Sequence, residues 1–161
     1  MTVFARLMLW IGYLGHDWVE VVRKVYKKKQ QMASIFTKII NGEIPCYKIA
    51  ENEHCLAFLD IMPRTKGHVL VVPKKEVDQL FDLPDEDYNA LMKFSKKVAN
   101  AIKTTLSCKR VAVVVLGLDV PHAHIHLIPL ETIDDINFQR PHVDIEPEDM
   151  KEIAERISFN C

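Results

Sequence analysis

Hydrophobic and polar positions change rhythm several times along this chain, and each change predicts an element. Ser34 precedes Ile35-Phe36-Thr37-Lys38-Ile39-Ile40, where a serine can cap a short helix that Asn41-Gly42 would end. Cys55-Leu56-Ala57-Phe58-Leu59 and His68-Val69-Leu70-Val71-Val72 are apolar runs bounded by turn residues, so both predict strands, joined by a loop over 60–67. Pro84 followed by Asp85, Glu86 and Asp87 opens a helix, because proline suits the first turn and acids favour its positive end. Leu91, Phe94, Val98, Ile102 and Leu106 then recur at helical spacing and predict one long amphipathic helix. The β-branched run from Val111 to Leu116 predicts a buried strand. Gly117-Leu118-Asp119-Val120-Pro121 turns the chain into a further strand, His122 to Ile128. Pro147-Glu148-Asp149 starts a last helix over 147–158, with Met150, Ile153 and Ile157 on one side. This order predicts an α+β fold: a mainly antiparallel sheet of about five strands with two main helices.

The first 31 residues break the pattern. They carry six basic residues against two acidic ones, whereas residues 32–161 carry fifteen against twenty. The apolar run Leu7 to Gly15 precedes the basic cluster Lys27-Lys28-Lys29, the reverse of a secretory signal. Val19, Val22 and Tyr26 would share a helix face, as in a basic amphipathic helix on a membrane surface. The competing expectation is that residues 1–31 are an extension dispensable for the domain over 32–161, with a native start at Met32.

Composition sharpens the picture only by exclusion. At 161 residues, with 48% hydrophobic and 27% charged positions, the chain suits one domain with a real core. A net charge of −1 leaves no overall footprint for nucleic acid. No apolar stretch reaches the length needed to span a bilayer, so a membrane partner is not expected. Cys46, Cys55, Cys108 and Cys161 form no close pair and read as reduced thiols, which favours the cytoplasm.

The chemistry gathers at Pro121-His122-Ala123-His124-Ile125-His126-Leu127-Ile128-Pro129. On a strand, His122, His124 and His126 share one face, about 6.6 Å apart in succession, while Ala123, Ile125 and Leu127 take the other. A zinc site is one reading, but three ligands strung along one strand do not converge on a metal, and His68 would have to join them. A purely structural stripe would need a buried partner for each ring. The reading that uses all three is chemical. Neutral imidazole is nucleophilic near pH 7, can hold a phosphoryl group covalently, and can donate hydrogen bonds to phosphate oxygens as charge builds.

His122-Ala123-His124-Ile125-His126-Leu127-Ile128 resembles the signature of the histidine-triad (HIT) superfamily at every position. Ile35 to Pro45, Leu56 to Ile61 and Gly67 to Lys75 resemble further segments of that family in the same order, so the likeness covers roughly residues 33–130. It implies a HIT-like fold and a purine mononucleotide-type substrate, with hydrolysis or nucleotidyl transfer at the α-phosphorus of nucleotide phosphoramidates or dinucleoside polyphosphates through a nucleotidyl-histidine intermediate. His124 would be the nucleophile, His122 would orient it through its backbone, and His126 with His68 would contact the phosphate. Asp60 would accept from the ribose hydroxyls. Ile35, Phe36, Ile39, Phe58 and Ile61 would form an apolar slot for the base. A homodimer is implied, and no cofactor. Histidine at 126, where another branch has glutamine, points to hydrolysis and away from nucleotidylyl transfer. Ser34 and Thr37 stand where some members have zinc-binding cysteines, so no metal is expected. Leu118 and Asp119 depart from the family's usual Gln and hydroxyl residue, which leaves the leaving group open. Rival readings are a nucleotide-binding module with little turnover and a metal-binding protein using His68 with the triad.

Overall fold

In this computed structural model, residues 33–161 are described, with Glu20 alone from the earlier chain. The expectations for residues 1–31 lie outside the described residues. The unit over Ser34–Cys161 is built on one sheet. Its elements are helix α1 (Ile35–Ile40), strands β1 (Lys48–Glu51), β2 (Cys55–Leu59) and β3 (Val69–Pro73), helix α2 (Asp85–Thr105), strands β4 (Arg110–Val114) and β5 (Ile125–Leu130), and helix α3 (Pro147–Phe159). The strands pair antiparallel throughout, in the order β1-β2-β3-β5-β4.

The two faces of the sheet bury different things. Alternate residues of the central strands (Ala57, Leu59, Val69, Val71, Ile125 and Leu127) form the main core with Leu91, Val98 and Ile102 of α2 and with Ile153 and Ile157 of α3. Each fully buried side chain of this size contributes about 1.5–3 kcal/mol. The other alternates, Leu56, Phe58, Leu70 and Val72, pack against Phe36 of α1. The histidines lie on this second face.

Several local expectations hold. Ser34 caps α1, its side chain accepting from the Thr37 N–H at 3.0 Å, and Gly42 takes φ 76 just past the helix. Gly67, at φ 85, is needed twice over: its backbone is left-handed, and a Cβ there would collide with the Leu106 side chain. That turn delivers His68 to the start of β3.

Others need correction. The strand of the triad begins at Ile125 and runs to Leu130, so His122, Ala123 and His124 are outside the ladder. Their backbone is held in a turn instead, with His122 N–H on Val120 and Ala123 N–H on the Val77 carbonyl. The run Val111 to Leu116 is not buried: β4 is the sheet edge, paired on one side only, with Val113, Val115 and Leu116 exposed. Pro84 stands at the N-cap of α2, ahead of its first turn. β1 was not expected; its one fully buried side chain, Ile49, is too little signal in a polar surrounding.

Candidate active site

Although only His126 sits on a regular strand, the histidines still gather. His126 lies between Leu70 of β3 and Val114 of β4 in the sheet register. Its ring centroid is 4.9 Å from that of His124 and 5.2 Å from that of His68. Phe36 meets His124 edge-on at 5.1 Å and His122 at 5.9 Å. All four histidines are buried.

Their hydrogen-bond partners fix where each proton lies. His122 Nε2 faces the Pro73 carbonyl at 2.8 Å, which can only accept, so that nitrogen carries the proton. Its Nδ1 then accepts from the Ser34 hydroxyl at 2.8 Å. His124 Nδ1 faces the carbonyl of His122 at 2.6 Å and must donate, which leaves the Nε2 lone pair of His124 free. The His122 backbone carbonyl is thus the group that holds the His124 ring.

At the other end the polarity reverses. The Arg64 backbone N–H donates to His68 Nδ1 at 3.1 Å. His68 Nε2 carries the proton and donates to His126 Nδ1 at 3.0 Å. His126 is left with an Nε2–H to give. An Asp60 carboxylate oxygen lies 3.5 Å from His68 Nδ1 and would favour the opposite assignment, but the shorter, aligned backbone donor prevails. Burial pushes His68 down to about 3, with the Arg64 charge adding to it. Burial likewise pushes His126 down to about 3, helped by His68 and His124 and opposed by Asp60. His122 is lowered too, by burial first, against the pull of the Pro73 carbonyl and Glu76. These three rings act as neutral dipoles near pH 7.

The remaining expected residues are placed unevenly. Phe36 and Phe58 are buried and in edge contact at 5.8 Å, and Ile39 is half-buried beside them. Ile35 and Ile61 are exposed. Asp60 makes a turn, one oxygen accepting from the Met62 N–H at 2.9 Å, and its other oxygen faces His68. Leu118 is 90% exposed on the loop before the triad. Sequence reasoning missed Phe138, whose ring meets His126 at 5.4 Å and lies under the Arg64 guanidinium. Arg64 also donates to the carbonyls of Phe138 and Arg140. No local signal marks Phe138, because it lies beyond the motif and reaches the site by the path of the chain after β5.

Among the described residues, two groups of side chains raise the question of a metal. Asp60, His68 and His126 bring ligand atoms within 4.8 Å of one another. Two of these nitrogens are already joined by the His68–His126 hydrogen bond, which a metal would have to break. Around His122 stand Ser34, Thr37 and Glu76. Zinc takes thiolate, imidazole and carboxylate ligands. Glu76 offers one carboxylate, but two neutral hydroxyls and a ring with both nitrogens engaged leave the set short of a zinc site.

Residues 41–133 match the HIT domain family. The chain belongs to the HIT family. It is 38% identical over 133 residues to an adenosine 5′-monophosphoramidase of Schizosaccharomyces pombe, covering 79% of this chain and 97% of that one. A crystal structure of a HIT-like protein from Bartonella henselae superposes with a TM-score of 0.70 at 31% identity, covering 80% of this chain and 96% of the other. A zinc-bound histidine triad protein from Mycobacterium smegmatis gives 0.69 at 27% identity, over 80% of this chain and 93% of that one. The HIT fold of this chain, α+β on a five-stranded antiparallel sheet, agrees with both.

Proposed function

We propose that this HIT protein hydrolyses a purine mononucleotide derivative at its α-phosphorus, of the phosphoramidate or dinucleoside polyphosphate kind, through a nucleotidyl-histidine on His124. One observation carries the reading: His124 offers a lone pair at Nε2 while its neighbour His126 offers a proton at Nε2. An electrophilic phosphorus between them meets a nucleophile and an oxygen-binding donor at once. In the first step the His124 nitrogen bonds to phosphorus and the bond to the leaving group breaks, the leaving nitrogen or oxygen taking a proton from solvent. The His124 ring then carries positive charge, which the His122 carbonyl stabilises at Nδ1. In the second step water bonds to phosphorus, gives its proton to solvent, and the His124–phosphorus bond breaks. Phe36 and Phe58 support an apolar seat for a base, and Asp60 a place for the ribose. The name of the Schizosaccharomyces pombe relative supports the phosphoramidate as substrate.

The exposed Val113, Val115 and Leu116 along the sheet edge support a homodimer formed there. The four cysteines, all thiols, suit a cytoplasmic setting. A binding module with little turnover is the second reading, favoured by the apolar Leu118 on the loop before the triad. Rapid-quench single turnover with α-labelled adenosine 5′-phosphoramidate separates the two. Acid-labile label on a histidine followed by release of nucleotide supports the enzyme; tight binding with neither leaves the module.

A further inference from the structure

Behind the first triad histidine lies a polar cluster that the proposed chemistry does not use. Ser34 Oγ accepts from the Thr37 N–H at 3.0 Å, which caps α1 and leaves the serine proton to give. Thr37 Oγ1 donates to the Glu76 carboxylate, which also takes the Ser34 N–H at 3.2 Å. With its own proton committed, Thr37 can only compete to receive the serine proton, at 3.1 Å, against His122 Nδ1 at 2.8 Å. The ring nitrogen is nearer, and its other side is held by the Pro73 carbonyl. His122 is fully buried and Ser34 almost so. The ring is thus gripped at both nitrogens, by the cap of one helix and the end of one strand. The carbonyl of the same residue holds the His124 ring.

We propose that Ser34 is a positioning residue for the nucleophile: its hydroxyl, directed by Thr37 and Glu76, locks His122, and the His122 carbonyl then aims His124. In the place where the resemblance puts zinc-binding cysteines, this chain holds its first triad histidine by hydrogen bonds alone. The inference rests on His124 being the nucleophile. Its rival is that Ser34 serves only as the cap of α1.

Substitutions in the full chain separate the two. Aspartate caps a helix as well as serine does but offers His122 Nδ1 only acceptors. Ser34→Asp should therefore keep a melting temperature near that of the unaltered protein while kcat falls roughly ten- to hundredfold with KM little changed, the cost of a misaimed nucleophile. Nitrogen-15 spectra should show His122 gaining a proton at Nδ1 and titrating at higher pH than before. Ser34→Ala should lower both melting temperature and kcat, and Ser34→Thr, which keeps cap and donor, should recover most of the rate. Unchanged kcat in both the aspartate and alanine variants, or unchanged His122 nitrogen shifts, would reduce Ser34 to a cap. If the unaltered protein turns over no nucleotide, the functional reading fails, and the spectra alone decide whether Ser34 sets the His122 proton.

Discussion

His124 and His126 are two residues apart, equally buried, and in ring contact, yet they present opposite chemistry to the same space. The difference comes from what holds Nδ1. A carbonyl holds it in His124, so the proton is drawn inward and the lone pair faces the site. A histidine that is itself fed by a backbone N–H holds it in His126, so the proton faces the site. Residue type does not assign the role; the last group in each hydrogen-bond chain does. One chain ends on the His122 carbonyl and the other starts from the Arg64 amide, both main-chain groups that cannot change protonation.

The contrast predicts unequal losses. His124→Ala should remove turnover by several orders of magnitude while nucleotide affinity stays close to its original value, the loss expected when the proposed covalent step has no nucleophile. Retention of a tenth of the rate in steady-state assays would reverse the assignment. His126→Ala should cost about a hundredfold in kcat, the effect of losing one donor to a developing oxyanion. His68→Leu should cost less, about tenfold, since the His126 ring remains but its proton is free to sit on either nitrogen. His68→Gln should recover part of that loss, as an amide N–H can feed Nδ1 in the same sense. A larger defect in His126→Ala than in His124→Ala would mean the two rings have exchanged roles.

Asp60 lies at the donor end, and its removal should act on binding. Asp60→Ala should weaken a ribonucleotide by about 1.5–3 kcal/mol, the worth of a hydrogen bond to a charged group, and bring it level with the 2′-deoxynucleotide in calorimetric titration. Equal affinity for both sugars in the unaltered protein would leave Asp60 as the turn residue its Met62 contact already makes it.

Which parts of this were legible beforehand depends on the range of the physics. The Ser34 cap, the break at Asn41-Gly42 and the periodic face of α2 are local, and local rules read them. The triad's alternation with apolar residues was legible too, although its first half is a turn that keeps the rings together without a ladder. The edge position of β4 was not, because a β-branched run looks the same at the margin of a sheet as in its middle; only partner count differs. The Ser34–His122 contact spans 88 residues and the His68–His126 contact 58, so no window along the chain contains either. The reading therefore found the rings and left the protons unassigned.

The same proton positions carry a stability cost. His68 and His126 are held neutral in the fold, down to about 3, whereas in the unfolded chain a histidine protonates near its reference value of about 6.5. Below that value the unfolded state binds more protons, so stability must fall as pH falls, through the window from about 6.5 towards about 3. Melting temperature measured across that range should decline, and the decline should be shallower in His68→Leu, which has one such ring fewer. A flat profile would mean that water reaches these rings and lets them charge in place.

The smallest expected effect lies at Leu118. It follows Gly117, whose φ of 68 turns the backbone, and it stands almost fully in solvent just before the triad. A leucine there offers no hydrogen bond to a departing group, where the resemblance puts a glutamine with both a donor and an acceptor. Leu118→Gln should raise kcat on phosphoramidates by a fewfold to about tenfold, one ordinary neutral hydrogen bond being worth about 0.5–1.5 kcal/mol. Because the side chain is exposed, folding should be unaffected, and melting temperature serves as the control. The gain should be larger for a leaving group with a polar bridge than for a bare amine, and it should vanish in the His124→Ala background. An equal rate across several leaving groups would show that Leu118 borders no leaving-group pocket and that the polarity of His124 and His126 alone sets the turnover of this protein.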